Sequence, residues 1–216
     1  LDDLLEQRER LPVEEAIGIL VDLLDAIGPI HARGIVHRDL KPGNVFLCKE
    51  EERQVIKILD FGLSSSSERL DEGGDDAPKV LIGSPPYMSP EVIGGSADAD
   101  HRGDIYSLGV MLYECVYGTT PFVGDTVREI LRAALTRPPD LAPHGLDLAV
   151  PAGLRRILGR ALEKSPGNRY QTSTEFQRDL EQFVAASQST TTAVPASDLE
   201  DFQQTPIGTG PFMFAE

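Results

Sequence analysis

The chain has 216 residues, 40% of them hydrophobic and 25% charged, enough for one domain of ordinary size with a real core. Its 35 acidic against 20 basic side chains leave a net charge of -15, which argues against the basic face that nucleic acid requires and against docking on anionic lipid. Solubility is the plain reading of that excess, with attraction of basic substrates as the second.

Leu1, Leu4 and Leu5 fall at helical spacing within residues 1–9. Pro12 then opens a second helix over about residues 13–33, where Ile17, Leu20, Leu24, Ile27 and Ile30 recur at three- and four-residue steps and Gly34 ends the run. Val45-Phe46-Leu47-Cys48 and Val55-Ile56-Lys57-Ile58 are β-rich and separated by a charged turn, predicting a short hairpin. Residues 63–88 carry Ser64 to Ser67, Gly73-Gly74 and several carboxylates without periodicity, a long loop of the kind that serves function or moves. From Asp104 to Tyr117 apolar residues occur nearly all round, as in a buried central helix. Further helices are predicted at about 125–135, 152–163 and 173–186. After Ala186 the chain turns to Ser, Thr, Pro and Gly, so residues 187–216 read as a disordered tail behind a domain of residues 1–186. Cys48 and Cys115 are the only cysteines, read as small buried hydrophobes in a reducing cytoplasm. No His/Cys spacing suggests a zinc site, and the apolar runs are far short of the ~18 residues that span a bilayer. No signal peptide is visible, and a chain opening on Leu1 leaves its natural N-terminus open.

The chemistry concentrates in His37-Arg38-Asp39-Leu40-Lys41-Pro42-Gly43-Asn44 and, 16 residues after Asn44, in Asp60-Phe61-Gly62. Asp39 is placed to orient, or accept a proton from, an attacking hydroxyl; Lys41 in the same loop offers an ammonium to a phosphate. Asn44 and Asp60 supply hard oxygen donors of the kind Mg²⁺ prefers, and Gly62 permits a sharp turn behind the second. An Asp-Phe-Gly triplet by itself marks only a turn. In this order and spacing, between the expected helix and hairpin, the elements resemble the catalytic loop and metal-binding triplet of eukaryotic-like (Hanks-type) serine/threonine protein kinases.

The resemblance implies a mainly α fold, the helical C-terminal lobe of a kinase with a short hairpin beside the catalytic loop, and ATP with Mg²⁺ as cofactors. It makes Asp39 the base, Lys41 the phosphate contact, and Asn44 and Asp60 the metal ligands. It gives His37 a structural role, bracing the loop against Asp60. Gly83-Ser84-Pro85-Pro86-Tyr87-Met88-Ser89-Pro90-Glu91 resembles the family's substrate-docking turn and its closing Ala-Pro-Glu, with Ser89 in place of Ala and Ser84 where Thr is usual. Ser84 is then expected to bond towards Asp39 and Lys41. Glu91 is expected to pair with Arg169 as a structural ion pair, and Asp104, by itself a plain helix N-cap, to hold the catalytic-loop backbone. Thr120-Pro121-Phe122 and the stretch from Arg160 to Tyr170 resemble bacterial members most closely.

Arg38 beside Asp39 marks kinases whose activation loop is held by a phosphate. The interval from Gly73 to Pro78 has no hydroxyl but carries Asp75 and Asp76, expected to stand in for that phosphate; Ser64 to Ser67 are the remaining candidate phosphosites. The family grips ATP with a Gly-rich loop and a strand lysine, and no G-x-G-x-x-G precedes His37. The expectation is a partial catalytic domain without its small N-terminal lobe, inactive by itself and exposing the apolar underside where that lobe sits. Its substrates would be Ser/Thr hydroxyls of proteins. The alternatives are a non-catalytic scaffold module and, third, a small-molecule phosphotransferase, which would lack the docking turn and the Glu91–Arg169 pair.

Overall fold

The computed structural model describes residues 1–50, 53–60, 84–142 and 150–191, with the backbone alone at 49–50, 53–54 and 189–191. Phe61, Gly62, Ser64 to Ser67, Asp75, Asp76 and Gly83, all named above, lie outside the described residues, as do residues 192–216. The elements run α1 (Asp2–Arg8), α2 (Val13–His31), β1 (Val45–Glu50), β2 (Arg53–Ile58), α3 (Pro90–Ile93), α4 (Arg102–Tyr117), α5 (Val127–Thr136), α6 (Ala152–Ala161) and α7 (Ser173–Thr191). Short 3-10 turns stand at Pro42–Asn44, Pro85–Tyr87 and Pro166–Asn168. The fold is mainly helical, with a two-stranded antiparallel sheet in which Val45 faces Ile58 and Leu47 faces Ile56.

α4 is the centre of the molecule. Every residue in it except Arg102 and Glu114 is buried, so it has no solvent face to mark it as amphipathic. α2 packs against it through one apolar stripe, with Ile17, Leu20, Leu24 and Ile27 at 2% exposure or less. α6 packs on another side, so closely that Gly109 has no room for a side chain: a Cβ there would come 2.8 Å from Ala161 Cβ. α7 lies along α2 and α6, burying Phe176 and Leu180 completely.

Three boundaries differ from the sequence reading. α2 ends at His31, and the chain then turns through Gly34, whose φ of 75° suits a residue without a side chain. α5 starts at Val127, because the Thr126 hydroxyl accepts from Glu129 N at 3.2 Å while the Glu129 carboxylate accepts from Asp125 N at 2.9 Å. α7 does not stop at Ala186 but runs to Thr191, with the Ser187 hydroxyl donating to Phe183 O at 3.0 Å. Helix propagation from a packed start costs less than nucleation, so a docked helix carries weak helix formers past its last apolar contact. Of the two cysteines, Cys115 is buried and Cys48 only half-buried, since the hairpin has one open side.

Candidate active site

The residues 37–44 form an irregular loop held from three directions. His37 is fully buried. Its Nδ1 accepts from Asp39 N at 3.3 Å, which leaves Nε2 to donate to Leu59 O at 2.9 Å. The brace expected against Asp60 therefore falls on the preceding carbonyl, because a neutral imidazole with Nδ1 accepting needs an acceptor for Nε2–H. From the opposite side Leu59 N donates to Asn44 O at 2.9 Å. The two bonds fix Leu59 against the loop and so set Asp60, one residue on, beside it.

Asp104 fixes the other flank. Its buried carboxylate accepts from His37 N at 2.8 Å and from Arg38 N at 2.9 Å. It caps no helix: the N-cap of α4 is His101, and Asp104 sits inside the first turn. The plain N-cap reading is thus replaced by one in which the carboxylate serves the loop. Arg38 has φ of 70° and Asp60 φ of 57°, left-handed backbone that non-glycine residues adopt at a cost of roughly 1–3 kcal/mol each. Both flank the same loop, and strain of this kind persists only where surrounding bonds enforce it.

Within the loop, donors gather on one carboxylate. Lys41 Nζ lies 3.0 Å from Asp39 Oδ2, and Asn44 Nδ2 donates to the same oxygen at 3.3 Å and to Asp39 O at 2.8 Å. Asp39 Oδ1 accepts from Ser84 N at 3.1 Å, and Lys41 Nζ donates to Ser84 Oγ at 2.8 Å. Asp39 stays 23% and Lys41 33% exposed in their side chains, so an incoming group can reach them. The turn at Ser84 is thereby bonded to the loop 45 residues earlier through both backbone and hydroxyl.

The docking turn has its own support, which sequence reasoning missed. Tyr87 OH donates to Glu114 Oε2 at 2.7 Å, and Ser107 Oγ donates to Tyr87 O at 2.8 Å. Burial, then the hydrogen bond to Glu114, pushes the Tyr87 phenol well up, so it remains a donor throughout the ordinary pH range. Burial also raises the Glu114 carboxyl, against the lowering effect of that hydrogen bond.

Farther down, Glu91 and Arg169 meet as a bidentate pair at 2.6 and 2.7 Å. The Arg169 side chain has 0% exposure and spends its remaining N–H groups on the carbonyls of Glu163 at 2.7 Å, Arg102 at 3.0 Å and Lys164 at 3.0 Å. Burial by itself would raise the Glu91 carboxyl; the Arg169 guanidinium outweighs it and holds the group below its ordinary 4.5.

The donor set suits a metal that arrives with its substrate. With Asn44 Nδ2 spent on Asp39, the amide keeps Oδ1 as a hard donor, and the Asp60 carboxylate is the second. Among the described residues no three His, Cys, Asp or Glu side chains cluster as a protein-only metal cage. Mg²⁺ is commonly held by one or two protein oxygens together with substrate phosphates and water, which is what this pair could offer.

The model of the protein kinase domain matches residues 1–180. Among known proteins the chain is 35% identical over 207 residues to a probable serine/threonine-protein kinase of Clostridium perfringens, covering 94% of this chain and 28% of that one. It is 37% identical over 188 residues to the serine/threonine-protein kinase PksC of Streptomyces coelicolor, covering 87% and 32% of the two chains. With PknB of Mycobacterium leprae the identity is 33% over 180 residues, covering 83% and 28%. The chain thus spans about a third or less of the length of the curated relatives it matches. It belongs to the protein kinase family, among the bacterial serine/threonine kinases.

Proposed function

We propose that this chain is the C-terminal lobe of an ATP-dependent protein kinase that phosphorylates Ser/Thr hydroxyls. The observation that carries the reading is the Asp39 carboxylate: three donors from two distant segments, Lys41, Asn44 and Ser84, hold it 23% exposed in a loop tied through Leu59 to the chain just before the strained residue Asp60. Asp39 orients the acceptor hydroxyl and takes its proton as the oxygen attacks. Lys41, between Asp39 and the docking turn, offers its ammonium to the transferring phosphate. Asn44 Oδ1 and Asp60 are the residues that would hold Mg²⁺, which supplies charge neutralisation on the phosphate oxygens when bound with ATP. His37, Arg38 and Asp104 shape the loop; Phe61 and Gly62 follow the metal ligand in the chain; Glu91 and Arg169 anchor the docking turn from below.

The lobe assignment is supported by exposed apolar residues around the site. Ile35, Phe46 and Leu59 are 49%, 52% and 41% exposed, and each lies within two residues of His37, Asn44 or Asp60. Such residues fit a face that a second lobe covers. A family kinase grips nucleotide from that second lobe, so these 216 residues by themselves are expected to transfer no phosphate. No helix among the described residues is long and apolar enough to cross a membrane.

The test is Mg-ATP-dependent phosphorylation of a Ser/Thr peptide by the full-length protein that carries this segment, beside its Asp39→Asn variant and the isolated chain. Robust transfer, lost on the order of a thousandfold in the folded variant, is the expected result. A full-length protein that binds Mg-ATP no better than the isolated chain, and transfers nothing, would replace the enzyme with the scaffold reading.

A further inference from the structure

We propose that the groove between α2 and α7 is a docking site for a basic, apolar-anchored segment of the protein substrate, away from the phosphoacceptor; as a substrate site it rests on the kinase reading above. The two helices pack side by side, and the first half of α2 forms with the second half of α7 an open groove of about 560 Å³. Gly18, Val21 and Val184 line it, and both valines are only half-buried. Glu14, Asp22 and Glu181 stand along it, exposed, and no lysine or arginine is among the lining residues. Gly18 is the part of this surface that packing does not explain, since glycine weakens a helix interior relative to alanine. Gly28, in the same helix, is dictated by packing: a Cβ there would come 2.9 Å from Ser173 Oγ. At Gly18 a Cβ would meet no atom of the described residues within 4 Å. The missing side chain deepens the groove between Glu14 and Asp22, which lie one helical turn to either side.

Charge selects the occupant. Glu15, beside Glu14, is answered within the chain by Arg8, whose guanidinium donates to both carboxylate oxygens at 2.7 and 2.9 Å. Glu14, Asp22 and Glu181 have no ion-pair partner among the described residues; Glu181 accepts from the neutral Gln177 Nε2 at 2.9 Å. Burial, then the charge of Asp25, raises the Asp22 carboxyl, as expected of a carboxylate facing its like. Three carboxylates around an apolar floor fit Lys or Arg flanking one apolar side chain. The chain's own continuation is a poor match, because residues 192–216 carry Asp198, Glu200, Asp201 and Glu216 and no lysine or arginine. A second copy, at a net charge of -15, is a poor match as well. Gly18 precedes the end of α2 by 13 residues, about 20 Å along the axis from the catalytic loop. A flexible linker of about 20 residues reaches about 25 Å, so one substrate chain can fill the groove and present its hydroxyl at Asp39.

The test uses the full-length protein and an acceptor peptide joined through a Gly/Ser linker of about 20 residues to Lys-Arg-Leu-Leu-Arg-Lys or to Glu-Asp-Leu-Leu-Asp-Glu. At low ionic strength the basic extension is expected to lower the peptide KM about tenfold with kcat within about twofold, and the acidic one to give no gain. Added salt should shrink the gain. Gly18→Leu fills the floor with a better helix former, and Asp22→Asn with Glu181→Gln removes the rim charge. Each should abolish the gain and leave the KM of the bare acceptor unchanged. Asp98→Asn with Glu163→Gln removes as much charge elsewhere and should keep it. A gain that survives Gly18→Leu, or that the control pair loses equally, overturns the proposal. So does a gain seen only after deletion of residues 192–216, which makes that segment the occupant, or a wild-type dimer that Gly18→Leu dissociates. A bare acceptor that goes unphosphorylated removes the kinase reading by itself. Fluorescence anisotropy of the labelled basic peptide then decides the groove: binding by wild type and not by Gly18→Leu sustains a docking site for a basic partner, and equal binding by both overturns it.

Discussion

Replacing Arg169 with alanine should unfold much of this domain's margin of stability, and the structure supplies the arithmetic. The guanidinium, with 0% side-chain exposure, donates twice to Glu91 and once each to the carbonyls of Glu163, Arg102 and Lys164. Its removal leaves a carboxylate only 11% exposed without a counter-charge and three carbonyls short of a donor. Breaking one side of such a pair costs about 3–5 kcal/mol, a large share of the 5–15 kcal/mol that typically holds a domain together. For a domain of this size that is a fall in Tm of roughly 6–20 °C. Arg169→Lys should recover little of it, since an ammonium cannot serve a bidentate carboxylate and three carbonyls at once.

Urea denaturation followed by circular dichroism measures the loss, and a double-mutant cycle with Glu91→Ala isolates the pair. The double variant should be less damaged than the sum of the singles, because the orphaned charge is gone with its partner. The pH dependence gives an independent check. Glu91 titrates below its ordinary 4.5 in the folded state, so its contribution is complete above that value and is lost as the pH falls through the lowered one. Glu91→Gln should flatten the acid limb of the stability curve. An Arg169→Ala variant within about 1 kcal/mol of wild type, or a cycle with no coupling, would refute the reasoning.

Two further changes test the packing around α4. Lys164 Nζ is buried, without a hydrogen-bond partner among the described residues, 3.8 Å from the centre of the Phe122 ring; desolvation, helped by Arg169, lowers its pKa from 10.5 to about 8. The unfolded chain then holds more protons between those values, so wild-type stability should rise from about pH 8 to 10.5. Lys164→Met should be more stable than wild type at neutral pH and lack that rise, as read from parallel denaturation series. Gly109→Ala would place a methyl 2.8 Å from Ala161 Cβ and should cost about 1–3 kcal/mol by forcing α4 and α6 apart, measured by thermal melting.

The parts of this molecule that were legible in the sequence are those written in side chains. Asp39, Lys41 and Asn44 announce themselves by type and spacing, and α2 by its apolar stripe. What escaped is written in backbone or in distance along the chain. The partner of His37 is the carbonyl of Leu59, and a carbonyl has no letter. α7 outruns Ala186 because cooperativity, unlike composition, carries over from the packed turns before it. Asp104, read both as a helix N-cap and as a hold on the loop backbone, stands inside a helix that begins two residues earlier, at Arg102.

α4 holds the signal that could have led further. A helix apolar all round gives no amphipathic pattern, so Ser107 and Glu114, unlike Asp104, drew no attention. Asp104, Ser107 and Glu114 stand at i, i+3 and i+10, which at about 100° per residue places them within about 80° of one another on the helix. In the fold each meets a different piece of the catalytic surface: Asp104 the amides of residues 37 and 38, Ser107 the carbonyl of Tyr87, Glu114 the Tyr87 hydroxyl. A buried polar group is costly unless bonded, so a polar stripe in an otherwise apolar helix implies a polar neighbour lying along it. Here Asp104 meets loop backbone and His31 at the end of α2, while Ser107 and Glu114 meet the docking turn. The stripe pointed to polar partners along one side of α4, and in the structure these are the catalytic loop and the docking turn.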